Sequence, residues 1–146
     1  MQAIAEKKLA EMTNHMENVE PGQPVEMSVA AVPGDGIWQG DLGLEVLASV
    51  PADCKLAPKP SPQLVPGNTR GARHCLDSLE GVEVYLPPNW GQDENNLRGP
   101  VLVLSESRTV EHPTHGDVTI PAGFTIGCCY QREWDAVQRA ERRAAD

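Results

Sequence analysis

The chain has little aromatic mass: one Phe, two Tyr and three Trp in 146 residues. Its interior must then be built from Val, Leu, Ile and Ala, and the length supports one core of that kind. Positive charge is also scarce. Twelve Lys and Arg stand against 21 Asp and Glu, a formal net charge of −9. Nucleic-acid affinity comes largely from cations that displace counterions from phosphates, so this balance argues against a nucleic-acid partner. The arginines that do cluster, Arg132, Arg139, Arg142 and Arg143, are interleaved with Glu133, Asp135, Glu141 and Asp146 and read as one solvated helix face.

No apolar run approaches the roughly 20 residues that cross a bilayer. The first residues, MQAIAEKKLAEM, carry acidic side chains and no apolar signal core. A soluble, unexported chain with no membrane partner is the expectation. The four cysteines, Cys54, Cys75, Cys128 and Cys129, form no CxxC pair, and reduced core thiols are expected. The adjacent pair, placed on a strand, points to opposite faces. Neither the P-loop nor the dinucleotide fingerprint is present, and GxSxG is missing, so nucleotide binding and nucleophile-elbow catalysis lose their usual signatures.

Turn formers are abundant instead: 13 Gly and 13 Pro. Residues 2 to 18 carry helix formers with a thin apolar stripe at Ile4, Leu9, Met12 and Met16, ended by Pro21-Gly22. Val25 to Val32 reads as a first strand, Gly34-Asp35-Gly36 as a turn, and Leu42 to Val50 as a strand with Leu42, Leu44 and Val46 on one face. Five prolines between 51 and 66 make that stretch an irregular connection. His74-Cys75-Leu76, Val82 to Leu86, Val101 to Leu104, Arg108 to His112, Val118 to Pro121 and Phe124 to Gln131 follow as short strands, with a closing helix at 134 to 145. The expectation is a mainly β protein, a small barrel or sandwich with short terminal helices. An N-terminal helical arm or extension, 1–33, precedes a single β-rich domain, 34–146, and the arm's order is expected to depend on a partner.

One constellation carries chemistry. Glu111-His112-Pro113-Thr114-His115-Gly116-Asp117 places two imidazoles three residues apart, and His74 lies on an earlier strand. His74, His112 and His115 together with a carboxylate or thiolate would be enough ligands for a zinc or iron site of the cupin-like kind. The competing reading is that these side chains cap a turn and bond to backbone, as polar residues beside Pro and Gly do. Pro113 excludes the helical zinc geometry.

The order of Gln39-Gly40-Asp41, Gly71-Ala72-Arg73-His74, then Glu111 to Gly123 ending in Ile120-Pro121-Ala122-Gly123, and Gln131-Arg132-Glu133-Trp134 resembles a group of small uncharacterised proteins of tailed bacteriophages and bacteria. In that group GHxH is followed by HxxH, IPxG and a Gln/Arg-Arg-Glu-aromatic end. The resemblance covers residues 37 to 146, and Ala72 departs from it at the first histidine of GHxH. It implies a phage or prophage origin and a compact β-fold. The expected role is non-enzymatic: virion decoration or cement, or docking on a host protein. The partner is then a capsid or host protein or a second copy, the location the host cytoplasm or the virion, and no cofactor is expected. The alternative is a cupin-like metal- or small-molecule-binding domain using His74, His112 and His115.

Overall fold

The computed structural model describes residues 16–18, 24–66, 74–92 and 97–131. The chain is mainly β, and no helix occurs among the described residues. Their eleven strands run in order: β1 Met16–Asn18, β2 Val25–Glu26, β3 Gly36–Gln39, β4 Leu42–Leu47, β5 Lys55–Leu56, β6 Cys75–Leu76, β7 Val82–Leu86, β8 Arg98–Leu104, β9 Arg108–Glu111, β10 Val118–Ile120 and β11 Thr125–Tyr130. They form a seven-stranded sheet, β1-β3-β4-β11-β8-β7-β5, and a four-stranded sheet, β2-β10-β9-β6. Two separate sheets with open edges make a sandwich, which decides between the two architectures expected from sequence.

Alternation fixes which faces meet. Leu42, Leu44 and Val46 of β4 are all buried, as are Ile37 of β3, Leu102 and Leu104 of β8, and Ile126 of β11. The smaller sheet adds Val110, Val118 and Ile120, each with no exposed surface, and all of these belong to one apolar cluster. Burying aliphatic side chains at about 1.5–3 kcal/mol each is what holds so aromatic-poor a sandwich together. On β4 the alternation stops earlier than expected, since Ala48 and Ser49 are exposed and the strand ends at Leu47.

The helix expected over residues 2 to 18 is corrected at Met16–Asn18. Met16–Asn18 is not helical: it pairs in parallel with β3, with Met16 opposite Gly36 and Asn18 opposite Trp38. Val25–Glu26 pairs in parallel with β10, and Met27 is 3% exposed within the core cluster. Over its described residues the expected arm therefore extends both sheets, because an unpaired strand edge is better satisfied by backbone pairing than by a thin apolar stripe laid over it. Residues 1–15 and the expected helix at 134–145 lie outside the described residues.

Between β3 and β4 the register pairs Gln39 with Leu42, leaving Gly40 and Asp41 as a two-residue hairpin turn. Gly40 has φ 61°, the left-handed conformation that a Gly-first turn requires. That turn delivers Asp41 to the end of the sandwich where the histidines gather.

Candidate functional site

Strand register brings the histidines together. Cys75 pairs with Glu111 and Leu76 with Val110, so continuing the ladder by one residue sets His74 opposite His112. Their ring centroids are 4.5 Å apart; His112 and His115 are 4.3 Å apart, and His74 and His115 6.1 Å with nearly parallel planes. All three residues singled out in the sequence thus converge on one spot. Gly40 lies beneath: a Cβ there would stand 2.5 Å from Cδ2 of His115, so glycine is needed for the ring's close approach as well as for the turn.

Two members were not anticipated from sequence, Gln39 and Asp41. Gln39 is fully buried, pointing inward two residues after Ile37. Its Nε2 donates to Val110 O at 2.9 Å and Gly116 O at 2.7 Å, so its Oε1 is left as an acceptor, 2.8 Å from His74 Nδ1. His74 Nε2 lies 3.1 Å from Asp41 Oδ1. Both ring nitrogens of His74 therefore lie within hydrogen-bond distance of side-chain oxygens. The pair is asymmetric in solvent: the His74 side chain is 1% exposed, that of Asp41 68%. The hydrogen bond from His74 holds the Asp41 carboxyl below the usual carboxylate range, aided by the charges of His74 and His115 and opposed by partial burial. The signal that could have found Gln39 is a polar side chain at an inward position of an alternating strand.

His112 is wired differently. Its Nδ1 accepts from Thr114 N and His115 N, both at 3.1 Å, and its own backbone N–H donates to Asp117 Oδ1 at 3.3 Å. This is the turn-capping role, and it leaves the remaining proton of the neutral ring on Nε2. Burial, then the neighbouring charges of His74 and His115, push its pKa from 6.5 down to about 4, with Asp41 acting the other way. Among the described residues, no three His, Cys, Asp or Glu groups are arranged to hold a metal ion as the side chains stand. The bonds explain why: His74 and His112 have committed the nitrogens that would converge.

The wiring of His112 fixes an acid response. A ring kept neutral in the fold but free to protonate when unfolded stabilises the fold fully above its unfolded value of 6.5. That contribution drains as pH falls from 6.5 to about 4. Asp41, with its lowered value, contributes above its unfolded 3.8 and loses this only at still lower pH. Discounted for partial exposure of the ring, the His112 effect is about 1–2 kcal/mol. Urea unfolding at about pH 7 and about pH 4.5 should show that loss in the wild-type chain and a smaller one in His112→Asn, whose Oδ1 keeps the Nδ1 acceptor without titrating. Equal losses in both chains would refute the assignment.

Burial disfavours the thiolate form at three of the four cysteines. Burial pushes Cys54 upward, Cys129 to about 11 and Cys128 higher still. Cys75 follows His74 and, as expected for strand neighbours, is only partly buried where His74 is fully so.

The fold and site define a two-sheet β domain braced at one end by a Gln-His-Asp chain under a histidine turn. The chain belongs to the family described as a domain of unknown function, DUF8820, whose model matches residues 38–127 and so contains Gln39, Asp41, His74, His112 and His115. No curated protein and no solved structure matches the chain.

Proposed function

We propose that this chain is a non-enzymatic binding domain, of the virion-accessory or host-protein-docking kind that its resemblance to small phage proteins suggests. The observation that carries the reading is the commitment of the polar groups. His74 is fixed between Gln39 and Asp41, His112 is spent on its own turn, and the described thiols with shifted pKa values are held protonated. A general base or nucleophile needs a free lone pair within reach of a substrate, and in His74 and His112 the Nδ1 atoms, and His74 Nε2, are engaged with other groups of the protein. The acidic balance of the chain suits a protein partner over a nucleic acid. Mass spectrometry of gradient-purified virions tests it, together with size-exclusion chromatography of the full chain mixed with purified capsids. Stoichiometric presence and co-elution support the virion role. Absence from virions with turnover by the purified chain in hydrolase assays, lost in Asp41→Asn, would overturn the non-enzymatic reading.

A second reading, a cupin-like metal-binding domain, is favoured by one specific finding: three imidazoles and a carboxylate, drawn from three separate segments of the chain, meet at one place.

A further inference from the structure

We propose that the open edge of β5 is the docking face of this domain and that its occupant is an extended acidic segment of the partner protein. The segment pairs with Leu56 as an added strand, sets an apolar side chain in the adjoining groove and brings carboxylates to Lys55 and Lys59. This names the surface and the partner chemistry of the binding-domain reading above, and rests on it.

The edge is open in a definite register. β5 is a terminal strand of the seven-stranded sheet and pairs with β7, Lys55 opposite Leu86 and Leu56 opposite Tyr85. The ladder continues to Ala57, whose N–H donates to Val84 O at 2.8 Å. Antiparallel strands alternate residues that exchange backbone bonds with their opposite number and residues whose groups point away from it. Ala57 is of the first kind, so Leu56 is of the second, and its N–H and C=O face outward from the sheet. Those are the groups an added strand uses.

Beside this edge lies a groove of about 320 Å³, lined by Leu56, Ala57, Pro58, Leu86, Pro87 and Pro88. Ala57 belongs to the core cluster and Leu86 packs against it, so the groove opens onto the rim of the core. Leu56, 58% exposed, adds apolar surface beside it. That volume is at the small end of the about 300–1,000 Å³ usual for ligand sites and suits anchor side chains of a peptide.

Charge selects the occupant. Among the Lys and Arg side chains of the described residues, Arg98 grips Asp53 with two bonds of 2.6 and 2.9 Å, and Arg108 lies 3.8 Å from both Asp77 and Glu106. Lys55 and Lys59 are exposed and form no ion pair with a described residue. Lys55 lines the groove, and Lys59 follows Pro58. Asp53, the carboxylate at the groove, is already neutralised by Arg98. The cations left for a ligand are therefore the two at this edge. A lysine on an edge strand is also how sheets avoid pairing with their own copies. Two chains joined at β5 would bring lysines together, so the edge rejects a second copy and accepts a strand that carries carboxylates.

Fluorescence anisotropy of the full-length chain with a labelled peptide alternating Glu and Val tests this. The contrasts are a peptide alternating Lys and Val, and an N-methylated Glu-Val peptide that keeps its charge but cannot pair. The Glu-Val peptide should bind with a Kd below about 100 μM and the other two at least about tenfold more weakly. Affinity should fall about tenfold or more in the double variant Lys55→Glu, Lys59→Glu, and likewise in Leu56→Pro, which removes the outward N–H and no ladder bond. The charge variant keeps every strand residue able to pair, so it stands as a test even where Leu56→Pro does not fold. No binding of the Glu-Val peptide at about 1 mM, or equal binding of the N-methylated form, would overturn the proposal. Self-association of the chain that is lost in Leu56→Pro would give the edge to a second copy and overturn this occupant. Co-elution with capsids that Leu56→Pro and the charge variant retain in full would place docking elsewhere, with the binding-domain reading intact.

Discussion

Gln39→Leu will lower the free energy of unfolding by about 3–5 kcal/mol, the largest effect expected of any polar substitution among the described residues. Leucine fills nearly the same space, so packing is a small part of the change. What goes is the Nε2 bond to Val110 O, the Nε2 bond to Gly116 O and the Oε1 bond to His74 Nδ1. The partners are buried away from water, and a buried polar group left without a partner costs about 1–3 kcal/mol. Gln39 sits on the large sheet and both carbonyls belong to the small sheet and its His112–Asp117 turn, so the substitution also cuts one of the polar ties between the layers. Urea unfolding measures the difference, and the midpoint should fall while the slope stays constant. A loss below about 1 kcal/mol would mean that water reaches these carbonyls and that Gln39 is not a brace.

That brace shows where the sequence is legible and where it is not. Strand periodicity is a local signal, and it located Val82–Leu86 to the residue and the Leu42, Leu44, Val46 face of β4. Turn chemistry is local too: Gly34 has φ 98°, and Asp35 Oδ2 accepts from Val32 N at 3.0 Å in the turn expected at Gly34-Asp35-Gly36. Pairing is not local. The strand expected at Val25 to Val32 is shortened to Val25–Glu26, and nothing in residues 2 to 27 announces that Met16–Asn18 would add to one sheet and Val25–Glu26 to the other. The helix formers around Met12 and Met16 pointed the other way at Met16–Asn18, where backbone pairing with β3 overrides propensity.

The site divides along the same line. Histidine type and spacing were enough to nominate His74, His112 and His115, and the register of β6 on β9 brings them into ring contact. Their roles depend on which nitrogen meets which partner, and that is written in residues distant in sequence: Gln39 is 35 positions from His74, and Asp41 33. The motif Gln39-Gly40-Asp41 was visible as a pattern, yet only the two-residue turn explains why its first residue points into the core and its last into solvent.

Ile126→Ala is the second large effect, about 2–5 kcal/mol, with Ile126→Val at about 0.5–1.5 kcal/mol. Ile126 lies on β11, the central strand of the seven-stranded sheet, and pairs with Val46 of β4 on one side and Leu102 of β8 on the other; Leu102 in turn pairs with Val84 of β7. These four side chains form a row across four strands, each 3% exposed or less, within the same cluster as Val110, Val118 and Ile120 of the facing sheet. A row bounded by backbone-paired strands cannot collapse into a vacancy as a surface loop can, so removal of three carbons leaves most of a cavity behind. Leu56→Ala is the internal control, since that side chain is 58% exposed on edge strand β5 and should change stability by no more than about 0.5 kcal/mol. Denaturant unfolding of the three variants beside wild type should place Ile126→Ala well below Ile126→Val in stability, with Leu56→Ala near wild type. Equal costs at positions 126 and 56 would contradict the placement of the core between the two sheets.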